Sequence, residues 1–128
     1  MPGAGDLAGT GGSTALHRLL ARRTAERRAV ALPLALRALD ALAARGYEGR
    51  LTGSLARGTF LDHSDVDIIV LDGPRGATEP LAIVEEAFAG AGIPVDVVLA
   101  ADLAPADRQR MLEGSLDAPA VRALAERG

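Results

Sequence analysis

The sequence predicts a single α/β domain, and three observations carry that prediction. Residues 13–45 keep apolar side chains at helical spacing, two later runs (66–70 and 95–99) are rich in β-branched residues, and a segment of helical period separates those runs. Strands joined through a helix point to an α/β arrangement. At 128 residues the chain is one domain, long enough for its own core and too short for a second substrate-binding domain.

The elements follow in order. Residues 1–12 hold five glycines and no apolar period, which predicts a disordered lead and leaves 13–128 as the domain. Ser13 or Thr14 is a candidate N-cap for a helical region reaching Arg45, with Gly46 as its C′ residue. Pro33 lies inside and lacks the N–H donor, so a kink or two helices are expected. Leu16, Leu19, Leu20 and Val30 are the apolar positions of the first half, and Leu32, Leu36, Leu39 and Leu42 those of the second. The first half also carries Arg18, Arg22, Arg23, Arg27 and Arg28 against Glu26 alone. Its simplest reading is a solvated face, and its sharper one a surface for an acidic protein partner or for nucleotide phosphates.

A short strand is expected over residues 50–52, then a helical turn opening at Leu55-Ala56-Arg57, with Gly58 freeing the chain to turn. Residues 62–64 read as a polar loop returning the chain to a strand that carries Asp65 and Asp67. Residues 72–76 read as a turn. Thr78 can cap a helix to about Ala89, with Pro80 in its first turn and Leu81, Val84 and Phe88 on its core side. A strand over 93–99 containing Asp96, a helix over 105–113 and a last one over 119–127 complete the chain.

The chemistry concentrates in residues 51–71. Side chains two apart on a strand project the same way, so Asp65 and Asp67 point together, with Val66, Ile68 and Val70 on the opposite, apolar face. Adjacent carboxylates repel unless a cation or shared proton neutralises them, and hard oxygen donors of this kind suit Mg²⁺. Gly53 lets the backbone approach a ligand closely. The Ser54 hydroxyl, with the exposed amides of a helix start, can hold phosphate oxygens, and Arg57 adds a fixed positive charge. Asp96 sits inside an apolar strand, where a buried unpaired charge would be costly without a function. His17 and His63 read as surface residues.

Gly53-Ser54, ten residues, then Asp65-Val66-Asp67 resembles the signature of the DNA polymerase β-type nucleotidyltransferase superfamily, with Asp96 in the place of its third carboxylate. Gly-Ser-Leu-Ala-Arg-Gly and Ser-Asp-Val-Asp in so short a chain are especially similar to the minimal nucleotidyltransferases, or MNT proteins, the antitoxin partners of HEPN toxins. The resemblance covers residues 47–114. It implies an α/β nucleotidyltransferase-type domain with a small mixed β-sheet flanked by helices and the three aspartates at one edge. It further implies ATP as substrate and Mg²⁺ as cofactor, as two ions held by Asp65, Asp67 and Asp96. Asp96 would also help deprotonate the acceptor, and Gly53, Ser54 and Arg57 would bind the nucleotide. The acceptor it implies is a hydroxyl of a HEPN-type toxin, a tyrosine above all. Two alternatives stand beside this: a non-catalytic MNT-like antitoxin that neutralises its partner by binding, and a small-molecule nucleotidyltransferase.

Composition narrows the partners. Every basic residue is arginine and the net charge is −3, so there is no lysine nucleophile and no basic excess for direct nucleic-acid binding. There is no cysteine, which removes disulfides and thiolate zinc sites. No segment reads as a signal peptide or membrane span, and a cytoplasmic protein is expected. The core must be assembled from Leu, Val, Ile and Ala, and a core of such small side chains would gain from a partner or an oligomeric mate covering part of it.

Overall fold

The computed structural model describes residues 4–61, 63–73 and 78–127, the side chains of 4–13 excepted. Its elements are α1 (Ala4–Ala44), β1 (Glu48–Thr52), α2 (Gly53–Arg57), β2 (Val66–Asp72), α3 (Thr78–Ala87), β3 (Val95–Leu99), a 3₁₀ turn (Ala100–Asp102), α4 (Pro105–Leu112) and α5 (Ala118–Arg127). The sheet order is β1-β2-β3, with β1 antiparallel to β2 and β2 parallel to β3. This is the small mixed sheet with flanking helices that the sequence led us to expect.

The period of two sorts the sheet into unlike faces. Leu51, Val66, Ile68 and Val70 are buried on one of them and share a core with Ala31, Leu32, Ala35, Ala38, Leu39 and Leu42 of α1, Val84 and Phe88 of the α3 region, and Val121 of α5. The contact is close. A Cβ at Gly49 would come 2.8 Å from Leu42 Cδ1 and 3.1 Å from Leu39 Cδ2, so α1 lies almost directly on β1. The other face carries Thr52, Asp67 and Asp96 in register across the three strands.

The ends of α1 and α5 are set by named groups. Gly46 takes a φ of 87°, Tyr47 N bonds to Leu42 O at 2.9 Å and Gly46 N to Ala43 O at 3.0 Å; this is the glycine-terminated helix end that the sequence predicts. Tyr47 is buried, and its hydroxyl donates to Glu79 Oε1 at 2.7 Å, while Arg45 pairs with the other Glu79 oxygen at 2.6 Å. The end of α1 is thereby tied to the start of α3. Asp117 Oδ1 accepts from Ala120 N at 3.0 Å, which explains why α5 opens at Ala118 rather than at Pro119.

Several expectations are corrected. Pro33 does not divide the long helix into two: its ring is exposed, and Ala31, Leu32 and Ala35 beside it are anchored in the core. α1 is continuous through Ser13 and Thr14, which are therefore not at its start. Of the lead, residues 1–3 lie outside the described residues, residues 4–12 are described as α1 backbone only, and most of the turn expected at 72–76 lies outside as well. Residues 93–94 precede β3 rather than belonging to it, and the 3₁₀ turn after β3 was not foreseen.

Candidate active site

β2 begins at Val66, so Asp65 sits one residue ahead of the strand and Asp67 inside it. The strand expected to carry both carries only the second. Val66 N still bonds to Pro94 O at 2.9 Å, which fixes the entry to the strand beside the entry to β3. Asp67 is then the registered neighbour of Thr52 on one side and of Asp96 on the other. Residues directly across a ladder project to the same side, so Thr52, Asp67 and Asp96 form a row on the face away from the core.

Burial along that row is uneven. Asp65 and Asp96 are exposed, Asp67 is half-buried and Thr52 is buried. The expected desolvation cost at Asp96 therefore does not apply; what places Asp96 in the site is its register with Asp67. Burial pushes the Asp67 carboxyl above the ordinary aspartate range, the negative charges of Asp96 and then Asp65 push it further, and Arg57 acts in the opposite sense. Asp96, Asp65 and Arg57 thus each lie close enough to Asp67 to act on its charge.

Gly53 opens α2 immediately after β1 with a φ of 73°. A Cβ there would overlap the Asp67 carboxylate. Glycine is required twice over, by the left-handed backbone and by the close approach of Asp67. Both Gly58 N and Thr59 N bond to Ser54 O, the latter at 2.9 Å, and Gly58 closes the five-residue α2 in the left-handed conformation. Leu55 is buried while Arg57 is exposed, so α2 is anchored by its leucine and presents its arginine to solvent. Gly53 is thus pressed against Asp67, Arg57 acts on its charge, and Ser54 follows Gly53 in the same short helix.

Three supports were missed at the sequence level. Thr52 Oγ1 donates to Met111 O at 2.7 Å, holding the end of α4 against the end of β1. Arg27 of α1 donates through Nη2 to Ser64 O at 3.2 Å and lies 5.9 Å from the Phe60 ring centroid. Ser64 Oγ in turn accepts from Leu61 N at 2.9 Å, closing the turn just ahead of Asp65. Thr52 beside the Gly-Ser pair was a possible signal. Nothing local marked Arg27, whose partners lie more than thirty residues away. His63 is exposed, as expected.

Among the described residues, no three His, Asp or Glu side chains form a ready cage for a metal ion. Mg²⁺ seldom needs one, since it takes one or two carboxylates and completes its shell with water and phosphate oxygens. An open set of hard oxygen donors, mutually repelling and beside a glycine turn, fits that ion.

A model of the nucleotidyltransferase domain matches residues 34–116, from the core half of α1 to Leu116. The chain belongs to the nucleotidyltransferase domain family. A solved structure provisionally assigned as a minimal nucleotidyltransferase aligns with a TM-score of 0.53 at 30% identity, over 79% of this chain and 93% of that one. Another, provisionally assigned as a nucleotidyltransferase from Sulfolobus solfataricus, aligns with a TM-score of 0.48 at 21% identity, over 74% and 85% of the two chains. No curated protein matches the sequence. As a nucleotidyltransferase domain, this chain has nucleotidyl transfer as its general chemistry. No helix among its described residues is long and apolar enough to cross a membrane.

Proposed function

We propose that this protein transfers AMP from ATP to a hydroxyl of a partner protein, a tyrosine of a HEPN-type toxin, and acts as the antitoxin of that pair in the cytoplasm. The reading is carried by the registered row Thr52–Asp67–Asp96 with Gly53 pressed against Asp67. The acceptor oxygen forms its bond to the α-phosphorus as the bond to the leaving pyrophosphate breaks. Asp96, exposed at the edge strand, would take the acceptor's proton. Gly53, Ser54 and Arg57 receive the phosphates. Asp65, Asp67 and Asp96 would hold Mg²⁺, two ions in the full reading, which would supply charge stabilisation at the phosphates.

The choice of a protein acceptor rests on family resemblance together with the exposure of Asp96. An exposed Asp96 suits an acceptor delivered on a macromolecule. The test is intact-mass spectrometry of the neighbouring gene's product after incubation with this protein, Mg²⁺ and an equimolar NTP mixture. A mass gain of one adenylate, absent with Asp65→Asn/Asp67→Asn, is expected. A stable complex with no mass gain would replace transfer by neutralisation through binding, and a gain only on small hydroxylated compounds would replace the protein acceptor.

A further inference from the structure

Among the three aspartates, Asp65 has the least support from the sheet. It stands one residue ahead of β2, it is exposed, and the ladder to β1 ends at the pair Thr52 and Asp67. A residue has two soft backbone dihedrals between two planar peptide groups, so the direction in which the Asp65 side chain leaves the backbone is set by how those two planes are held. The plane that follows Asp65 is held by the sheet entry, where Val66 N donates to Pro94 O at 2.9 Å. The plane that precedes it is held from elsewhere in the molecule. Its carbonyl, Ser64 O, accepts from Arg27 Nη2 of α1 at 3.2 Å.

Arg27 is itself seated. Its guanidinium lies 5.9 Å from the centroid of the Phe60 ring, within the reach of a cation–π contact, and Phe60 is buried in the core. One side chain of α1 thus meets the segment between α2 and β2 at two points, Phe60 and Ser64. Between them Ser64 N donates to Leu61 O at 3.1 Å and Leu61 N donates to Ser64 Oγ at 2.9 Å. These bonds fix the shape of the turn, and Arg27 fixes where the turn sits against α1. Stability alone does not select this seat, because Arg27 Nε is buried with no hydrogen-bond partner among the described residues, and a buried N–H without an acceptor is costly.

We propose that Arg27 is a positioning residue of the candidate active site: by holding the Ser64–Asp65 peptide it aims the Asp65 carboxylate and so sets the affinity for Mg²⁺-nucleotide. This rests on the reading of Asp65 as a group that would hold Mg²⁺. Arg27 precedes residues 34–116, the segment matched by the nucleotidyltransferase domain. The support for Asp65 therefore comes from a part of α1 outside that segment, through contacts that join residues far apart in the chain.

The test measures binding of α,β-methylene-ATP with Mg²⁺ to the full chain by calorimetry, beside urea unfolding of the same variants. Arg27→Met keeps a long stem and removes the donors. It should weaken binding by about tenfold or more, the scale on which groups that orient a metal ligand act, while the unfolding midpoint stays close to that of the wild type. Arg27→Lys keeps a charge and a donor and should recover part of the loss. Arg23→Met removes the same charge from an exposed position of the same helix and should leave binding within about twofold. Asp65→Asn should weaken binding by itself, and Arg27→Met added to it should weaken binding no further, because the arginine acts through that carboxylate. Additive losses, or unchanged binding in Arg27→Met with a lowered unfolding midpoint, would make Arg27 a structural tie and overturn the inference. An equal loss in Arg23→Met would assign the effect to overall charge and overturn it too. If Asp65→Asn binds as the wild type does, the reading of Asp65 falls and the inference with it; if only Arg27→Met does, the inference falls alone.

Discussion

The two faces of the sheet are built from the same three strands and have opposite characters. On one, Leu51, Val66, Ile68 and Val70 are buried against the helices; on the other, Thr52, Asp67 and Asp96 line up a residue away. The difference teaches where the cost of the site is carried. Repelling carboxylates destabilise the strand that bears them, and the apolar residues between them, closed under α1, hold that strand in place. The face farther along β2 shows how narrow the charged row is, since Ile69, two residues beyond Asp67 on the same side, is buried again.

The sharpest way to break the comparison is to remove the charged face alone. Asp65→Asn/Asp67→Asn should lower nucleotide transfer by about a thousandfold or more, the scale expected when charge-stabilising groups of a transfer site are lost, while circular dichroism and the unfolding transition stay native-like. Transfer that survives would remove these aspartates from the site. The converse change is Ile68→Ala on the core face, which should destabilise the fold by about 2–5 kcal/mol in urea unfolding. Its folded fraction should keep the wild-type affinity for Mg²⁺-ATP.

Gly53→Ala tests the seam between the faces. The left-handed backbone alone costs about 1–2 kcal/mol, and the added methyl displaces Asp67. Stability should fall by about that amount in denaturant unfolding, with Mg²⁺-ATP binding falling further by calorimetry. An alanine variant with unchanged nucleotide binding would mean that Asp67 moves freely and that the close approach is not needed.

The smallest effect concerns pH. Burial, then Asp96 and Asp65, raise the Asp67 carboxyl in the folded state. A raised acid contributes its full stability below its unfolded value and loses it as pH rises through the folded value. Asp67→Asn should therefore slightly raise the melting temperature of the metal-free protein at neutral pH, and the gain should shrink as pH falls through the titration of Asp67. A gain independent of pH, or a loss at neutral pH, would contradict the repulsion.

How far the sequence reaches depends on how local each feature is. Gly53, Ser54, Asp65 and Asp67 were legible because their spacing lies within one strand–turn–strand stretch, and Val66, Ile68 and Val70 because a strand alternates. Asp96 was legible as an acidic residue in an apolar run, though for a reason that failed: it is exposed, and its place is given by pairing with Asp67. Arg27 was legible only as one of a group of arginines. Its bond to Ser64 O spans thirty-seven residues and follows from how α1 lies across the sheet.

The sequence by itself determined the α/β class, the position of the glycine turn and the two faces of β2, because φ preference and side-chain alternation are properties of the local chain. The tertiary structure alone decided that Asp65 stands outside the strand, that Thr52, Asp67 and Asp96 share a row, and that α1 runs unbroken past Pro33 with one half in the core and the other outside. Register and burial are set by which distant surfaces meet, and a periodic pattern records that a face is apolar without recording what covers it.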